Sequence, residues 1–411
     1  VRAQAQAAVS ADRTAADLGE SVIPDGRLRP LTATDRLRYS RNALVPEVGV
    51  LGQQRIRAAR VLLIGAGALG SPAALYLAAA GVGRLGIVDD DVVEVSNLQR
   101  QVLHTTAGVG QDKTESARQT VEALNPDVEV VTYKTLLRSD NALEIMRGWD
   151  VVVDGTDNFP TRYLVNDACV MLGLPLVHGA VFRSDGQVSV FDARRGPCYR
   201  CVHPVPPDPG SVPSCAQGGV LGVMPGVVGT MQATEAIKLV VGGARPLIGR
   251  MLMVNAWQAT TAELPLRKNP RCPVCGEDPT VRALIDYEAF CGLPGARSQT
   301  GVTGEGPASE EITAERLRAR LAEGEVLGQD LTVLDVREPV EVALDPFPGA
   351  LHIPLAQVVQ RADELDPDRQ TVVLCAKGVR SARAIQALRD AGYTGRLTNA
   401  AGGMAAWNEG V

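Results

Sequence analysis

The stretch VLLIGAGALGSPAALYLAAAGV, beginning at Val61, constrains this chain more than any other. Val61 to Ile64 are apolar and β-prone, Gly65, Gly67 and Gly70 fit the spacing G-x-G-x-x-G, and an alanine-rich helical pattern runs on to Gly81. A strand, a glycine loop and a helix in that order open a doubly wound α/β unit, with free N–H groups at the helix N-terminus turned toward an anion. Ser71 is placed to cap the helix, and Pro72 sits in its first turn, where a proline is tolerated. A nucleotide is the expected ligand. The glycine spacing alone fits users of NAD, FAD and ATP alike, and also fits a tight turn that binds nothing.

With 411 residues and 45% hydrophobic content, the chain is long enough for two or more domains with sizeable cores. A net charge of -6 points away from nucleic acid. No apolar run approaches the roughly 20 residues of a membrane span, and the alanine-rich beginning lacks an apolar signal core. The cytoplasm is the expected compartment. Eight cysteines, four of them in two C-x-x-C pairs, fit metal and thiol chemistry better than a disulfide scaffold.

Residues 1–30 mix Ala, Gln, Asp and Arg without a sustained apolar period and read as a mobile tail. From 31 to 276, apolar strands alternate with helical patterns, as a Rossmann-like doubly wound sheet requires. Residues 277–307 are rich in Gly, Pro, Ser and Thr and read as a flexible linker. A second, smaller α/β domain occupies 308–411, opening with the helical pattern SEEITAERLRARLAEGE and the strand LTVLDVRE.

The second strand of the first domain leads into VDDDVVEVSNLQRQ, and Asp89 lies 24 positions after Gly65, where an acidic residue meets a ribose hydroxyl. An NAD enzyme shares that feature. It has no need of Asn97 and Arg100 in SNLQRQ, Lys113 in GQDKTESA or Asp157 in GTDN. Gathered near a glycine loop, these residues suit a triphosphate with magnesium, whose charge exceeds that of a dinucleotide. Each taken singly also has a bland reading, as a solvated strand end, a surface cation or a helix cap.

Seven motifs in order, RYSRN (38–42), GAGALGSP, VDDDVVEVSNLQRQ, GQDKTESA, GTDN, CYRC and KNPRCPVCG, resemble the adenylating enzymes that activate ubiquitin-like sulfur carriers, the molybdopterin-synthase and thiamine-type activators. The resemblance covers about residues 35–276. It implies ATP-dependent adenylation of the C-terminal glycine of a small carrier protein ending in Gly-Gly, with release of pyrophosphate. It further implies that Asp89 binds the ribose, Asn97, Arg100 and Lys113 bind the phosphates, Asp157 binds Mg2+, and Arg41 reaches in from the other subunit of a homodimer. Ala68 departs from the family's usual glycine, and its methyl group should crowd the loop slightly. The chemistry agrees: a carboxylate attacking an α-phosphate needs alignment and charge neutralisation, not a strong base.

Cys198 and Cys201 in CYRC and Cys272 and Cys275 in CPVC form two tight knuckles. Four thiolates so paired give a closed tetrahedral site for one structural zinc ion, the alternative being a redox pair or buried free thiols. Between the pairs, Cys215 sits in the proline- and glycine-rich HPVPPDPGSVPSCAQGGVLGVMPG. By residues alone it reads better as an incidental loop cysteine than as a thiol on a crossing loop. The resemblance implies a reactive cysteine, with a role that varies between thioester, acyl disulfide and dispensable.

In the small domain, TVVLCAKGVRSARAIQALRDAG carries a strand ending at Cys375, a short loop, and a helix beginning near Ser381. Loop N–H groups, with Lys377 and Arg380, would favour a thiolate. A thiol phosphatase uses C-x5-R; Cys375 to Arg380 is C-x4-R, as in rhodaneses. LDVREPVE with Asp335 and Arg337, PGALHIPL around His352, and AGGMAAWNEG likewise resemble the rhodanese family, over about 308–411. That resemblance implies a persulfide on Cys375, loaded by a cysteine desulfurase or thiosulfate. Joined, the two readings give an adenylyltransferase and sulfurtransferase that turns a carrier's C-terminus into a thiocarboxylate, for molybdenum cofactor or a related sulfur-containing product. An activator of ubiquitin-like conjugation through a thioester, and an NAD-dependent oxidoreductase, are the alternatives.

Overall fold

The structure, a computed structural model, describes residues 19–207, 218–292 and 310–408. The chain forms two compact units, one up to Gln299 and one from Thr300.

In the first unit β1 (Arg60–Ile64), β2 (Arg84–Val88), β3 (Glu129–Tyr133), β4 (Val151–Asp154) and β5 (Leu176–Phe182) run parallel. The sheet continues antiparallel through β6 (Asp185–Phe191), β7 (Arg250–Asn255) and β8 (Thr260–Pro265). Its order is β3-β2-β1-β4-β5-β6-β7-β8, so the winding reverses between β1 and β4, where open α/β sheets leave a crevice for a ligand. Parallel strands are covered on both faces, which is why VLLI in β1 and VVVD in β4 are unbroken and buried throughout. The helices Gly70–Ala80 and Val223–Val241 share the largest core cluster, small residues such as Ala73, Ala74, Ala233 and Ala236 letting their backbones approach. From the longer helix, Gln232 is fully buried and donates from Nε2 to the Asp154 carbonyl at 2.7 Å, pinning the end of β4.

The described part of the expected N-terminal tail is docked, not free. Val22 N–H donates to Leu239 at 3.0 Å, Ile23 is buried, and Arg27 grips Asp150 with two bonds of 2.7 and 2.8 Å. Single anchors of this kind leave no period to read. The expected linker is corrected in the same way at its start. The short helix Tyr287–Phe290 packs on the first unit, with Tyr287 buried and its hydroxyl donating to Asp167 at 2.8 Å.

The second unit is an all-parallel sheet of β9 (Glu310–Ile312), β10 (Leu331–Asp335), β11 (Leu351–His352), β12 (Gln370–Leu374) and β13 (Leu397–Ala400), in the order β11-β10-β12-β13-β9. Glu310–Ile312 of SEEIT, expected to be helical, form β9. The helix Ala314–Ala322 starts only after Thr313, whose hydroxyl accepts the Arg316 N–H. Among the described residues no helix is long and apolar enough to cross a membrane.

Candidate active site

Sterics shape the loop after β1. Gly65 is left-handed with φ at 95°, and a Cβ on Gly70 would stand 1.9 Å from the Gly65 carbonyl oxygen. A Cβ on Gly67 would meet only Gln101 Nε2, at 3.7 Å, so the middle glycine leaves open space for a ligand to come close. The helix begins at Gly70, two residues earlier than a Ser71 cap requires. The Ser71 hydroxyl is buried and turned back to Ala66 O at 3.5 Å.

A cavity of about 860 Å3 opens at this crevice, and Gly65, Gly67, Asp89, Arg100, Lys113 and Asp157 all line it. Gly70 and Asn97 stand behind the lining, Asn97 buried with its Oδ1 accepting the Glu94 N–H. Arg41 is exposed on the short helix Ser40–Ala43, outside the lining. Asp89 accepts the N–H of Ala66 at 2.8 Å and of Asp91 at 2.9 Å, tying the end of β2 to the glycine loop. Burial raises its carboxyl above the usual range, against the pull of Lys113. Lys113 is itself buried and reaches Asp91 at 2.7 Å. Arg100 donates to the Ser96 carbonyl at 2.9 Å.

Two histidines hold segments that line the cavity. His104 Nε2 lies 2.9 Å from Ala66 O and its Nδ1 2.9 Å from Ser116 Oγ, holding the glycine loop from below. His178, brought opposite Asp154 by the β4–β5 register, places Nδ1 3.0 Å from Asp154 Oδ2. Burial depresses both imidazoles below their ordinary value. Burial works against the Asp154 carboxylate too, but the bonds from His178 and Thr156 hold it below the usual range.

Arg162 also lines the cavity and escaped the sequence reading. It stacks 5.5 Å from the Phe159 ring and donates to Thr156 O at 3.1 Å. The legible signal was its place four residues after Asn158, the N-cap of Phe159–Leu172, one turn along the same helix face. The lining also carries apolar side chains, Phe182 at the end of β5, Met253 on β7, and Val205, Val220 and Pro225.

The four cysteines of the two knuckles converge. Cys198 Sγ is 3.8 Å from Cys201 Sγ and 3.5 Å from Cys272 Sγ, and Cys201 Sγ is 3.4 Å from Cys275 Sγ. A tetrahedron of sulfurs with ~2.3 Å bonds to a central ion has edges of about 3.8 Å, so this donor set fits a closed metal site. Hydrogen bonds among them split the thiols: Cys198 and Cys275 are pushed up, while Cys272 is pushed down and Cys201 down to about 6. Between Cys198 and Cys201, Tyr199 lines the same cavity, and buried Arg200 closes on Asp167 at 2.8 Å under the rings of Tyr163 and Phe290. Cys215 lies outside the described residues.

In the second unit, Cys375 directly follows β12 with 1% of its surface exposed. Gly378, left-handed at φ 87°, donates its N–H to the sulfur at 3.1 Å, and the helix Val379–Asp390 begins at once, two residues before the expected start. Ser381 Oγ stands 3.3 Å from the same sulfur. Lys377 is exposed. Arg380 does not present a free charge, because both its terminal nitrogens are held by Glu341 at 2.6 and 2.7 Å. Arg337 closes on Asp335 at 2.6 Å, both buried, and its carbonyl meets His352 Nε2 at 2.8 Å.

The ThiF family matches residues 39–274, and the Rhodanese-like domain matches residues 313–410. The chain is 56% identical over 261 residues to a Thermus thermophilus protein named sulfur carrier protein adenylyltransferase, covering 62% of this chain and 96% of that one. It is 44% identical over 389 residues to the Mycobacterium tuberculosis probable adenylyltransferase/sulfurtransferase MoeZ, covering 92% and 95%. With mouse adenylyltransferase and sulfurtransferase MOCS3 the identity is 48% over 348 residues, covering 84% and 75%. Escherichia coli MccB, solved with ATP, superposes with a TM-score of 0.53 at 22% identity, covering 62% of this chain and 77% of that one, which is a likeness of fold.

Proposed function

This chain belongs to the ThiF family, and from that membership and its rhodanese-like domain we propose how two activities divide between its two units. It is an adenylyltransferase and sulfurtransferase that activates a sulfur carrier protein and then transfers sulfur to it. The observation that carries the division is chemical. One unit gathers Gly65, Gly67, Asp89, Arg100, Lys113 and Asp157 on one cavity, and the other presents a cysteine to the Gly378 N–H of a tight loop.

In the first unit the C-terminal carboxylate of a carrier ending in Gly-Gly attacks the α-phosphate of ATP, and pyrophosphate leaves. Asp89, already fixed by two backbone N–H groups, orients the ribose. Lys113 and Arg100 neutralise the phosphates, and Arg162, close beside Thr156, adds a third cation. Asn97 supports the phosphate side from behind the lining. Asp157 would hold magnesium, which supplies further charge neutralisation when bound. Arg41, exposed on its helix, completes the site of the second subunit in a homodimer. Cys198, Cys201, Cys272 and Cys275 would hold zinc, which supplies a structural tie and no chemistry to the reaction.

In the second unit Cys375 carries a persulfide loaded from a cysteine desulfurase or thiosulfate, its loop framed by Lys377 and Arg380. The outer sulfur attacks the acyl adenylate, forming an acyl disulfide and releasing AMP. A thiol, Cys215 in our reading, then attacks the Cys375 sulfur, releasing the thiocarboxylate and leaving a disulfide that an external dithiol reduces. The product serves molybdenum cofactor or a related sulfur-containing compound. Pyrophosphate–ATP exchange tests the first half: it should require magnesium and one carrier ending in Gly-Gly. Cys375→Ala should keep that exchange and abolish thiocarboxylate formation; loss of exchange in a folded Cys375→Ala protein would overturn the division.

A further inference from the structure

Beyond the second cysteine knuckle the chain turns back over the first unit. The Ser139 hydroxyl donates to the Ile285 carbonyl, Leu284, Ile285 and Phe290 pack on the core around Tyr163, and Asp286 caps the helix Tyr287–Phe290 by accepting the Ala289 N–H at 2.9 Å. The residue after that helix, Cys291, is 6% exposed and lies in the cavity lining. A segment that reads as linker therefore supplies a piece of the cavity wall.

This strap is held down by Arg200. Its guanidinium makes three bonds of 2.8 to 3.1 Å to Asp167 at 2% exposure, and the Tyr287 hydroxyl donates to the same carboxylate at 2.8 Å. The ring centre of Phe290 lies 4.4 Å from the guanidinium carbon and that of Tyr163 4.9 Å. A ring of the strap thus covers the cation, and taking it away wets a buried ion pair whose attraction depends on staying dry. Tyr163 ties this packing to the cavity. Its ring meets those of Phe290 and Tyr199 edge-on, each at 5.2 Å, and its hydroxyl donates to the His203 carbonyl at 3.0 Å. Tyr163, Tyr199 and His203 all line the cavity. Undocking the strap takes Cys291 out of the wall and a neighbour away from Tyr163 at the same time.

We propose that residues 284–291 form a latch on the cavity, with Tyr287 and Phe290 as positioning residues that act through Arg200 and Tyr163, so that strap docking and occupation of the cavity strengthen each other. The proposal rests on the reading of this cavity as the ATP site. Coupling of this kind is reciprocal: a ligand that needs the completed wall binds more weakly when the strap is loosened, and by the same factor holds the strap down when bound.

Two measurements on the full-length protein test it. One is ATP affinity by calorimetric titration with magnesium; the other is the alkylation of Cys291 and Cys169 by iodoacetamide, each followed on its own peptide by mass spectrometry. Burial pushes the Cys291 thiol up to about 11, so it reacts when the strap opens. Cys169, 2% exposed within the helix Phe159–Leu172, reacts only when the whole unit opens. Phe290→Ala should quicken Cys291 roughly tenfold, leave Cys169 unchanged and weaken ATP binding about fivefold. If that variant quickens both thiols it has opened the whole unit, and Tyr287→Phe, which removes one hydrogen bond and no ring, carries the test with the same signs and smaller sizes. Bound ATP should slow Cys291 in the wild-type protein, but it also shields the thiol directly, so the affinities of the variants decide. No quickening of Cys291 in either variant, or unchanged ATP affinity in one that exposes it, would overturn the proposal and leave the strap as packing alone. A wild-type protein that binds no ATP would remove the nucleotide reading and the proposal with it, an outcome distinct from the other two.

Discussion

His178 Nδ1 lies 3.0 Å from Asp154 Oδ2, just ahead of Gly155 and Thr156 of the cavity lining, and each side chain is 1% exposed. Asp154 also accepts from the N–H and hydroxyl of Thr156, so the pair shapes the turn that leads to Asp157. Removing the ring by His178→Ala leaves a buried carboxylate short of a donor, and should cost about 2 kcal/mol of first-unit stability by calorimetry.

The same burial gives a pH dependence of known sign. His178 and His104 have folded values below the unfolded 6.5, so the unfolded chain binds protons first as the pH falls. Their contribution is whole above about pH 6.5 and is lost as pH falls through the folded values, at up to about 1.4 kcal/mol per pH unit per histidine. First-unit melting temperatures over a pH series check this. A flat profile between neutrality and the carboxylate range would contradict it.

Gly70 and Gly67 should behave oppositely. Gly70→Ala puts a methyl 1.9 Å from a backbone oxygen and should unfold or insolubilise the first unit. Gly67→Ala enters open space, so stability should change by less than about 0.5 kcal/mol while ATP affinity falls. Calorimetry paired with ATP titration separates the two; unchanged ATP binding in Gly67→Ala would remove the middle glycine from the ligand's path.

What could be read in advance follows from how each feature is encoded. The glycine loop and the C-x-x-C pairs announce themselves because turn sterics and metal knuckles demand short, fixed spacings. The His178–Asp154 pair does not, since a helix separates the two residues and only the register of β4 on β5 joins them. Glu311 accepts from Asn399 Nδ2 across 88 positions, and a three-residue strand ahead of an amphipathic helix carries too little period to stand out. Ile23, Arg27 and Tyr287 dock segments that composition marks as tail and linker, because a lone anchor has no period at all.

The four-cysteine site bears on the cavity through Tyr199, which lies between two of its ligands and on the cavity wall. Metal analysis should find one ion per chain at these thiolates. Chelation, or Cys198→Ser, should lower the first-unit melting temperature by several degrees and weaken ATP binding as the wall loosens. Unchanged ATP affinity in a metal-free, folded protein would separate the knuckle from the cavity.

Glu341 does two jobs that one substitution can part. Its Oε2 accepts the Glu338 N–H in the capping box of the helix Pro339–Leu344, and both its oxygens hold Arg380. Glutamine keeps an acceptor for the cap, as glutamate and glutamine serve alike at that position, but removes the charge that neutralises Arg380. Freed beside the Cys375 loop, Arg380 should draw a dianionic donor. Glu341→Gln should therefore lower the KM for thiosulfate by about threefold to tenfold with little change in kcat, the size expected for one partly buried charge. Glu341→Ala loses the cap as well and should be about 1 kcal/mol less stable. An unchanged KM in the glutamine variant would mean that Arg380 does not face the incoming donor, and its pairing with Glu341 would then be a brace for the loop alone.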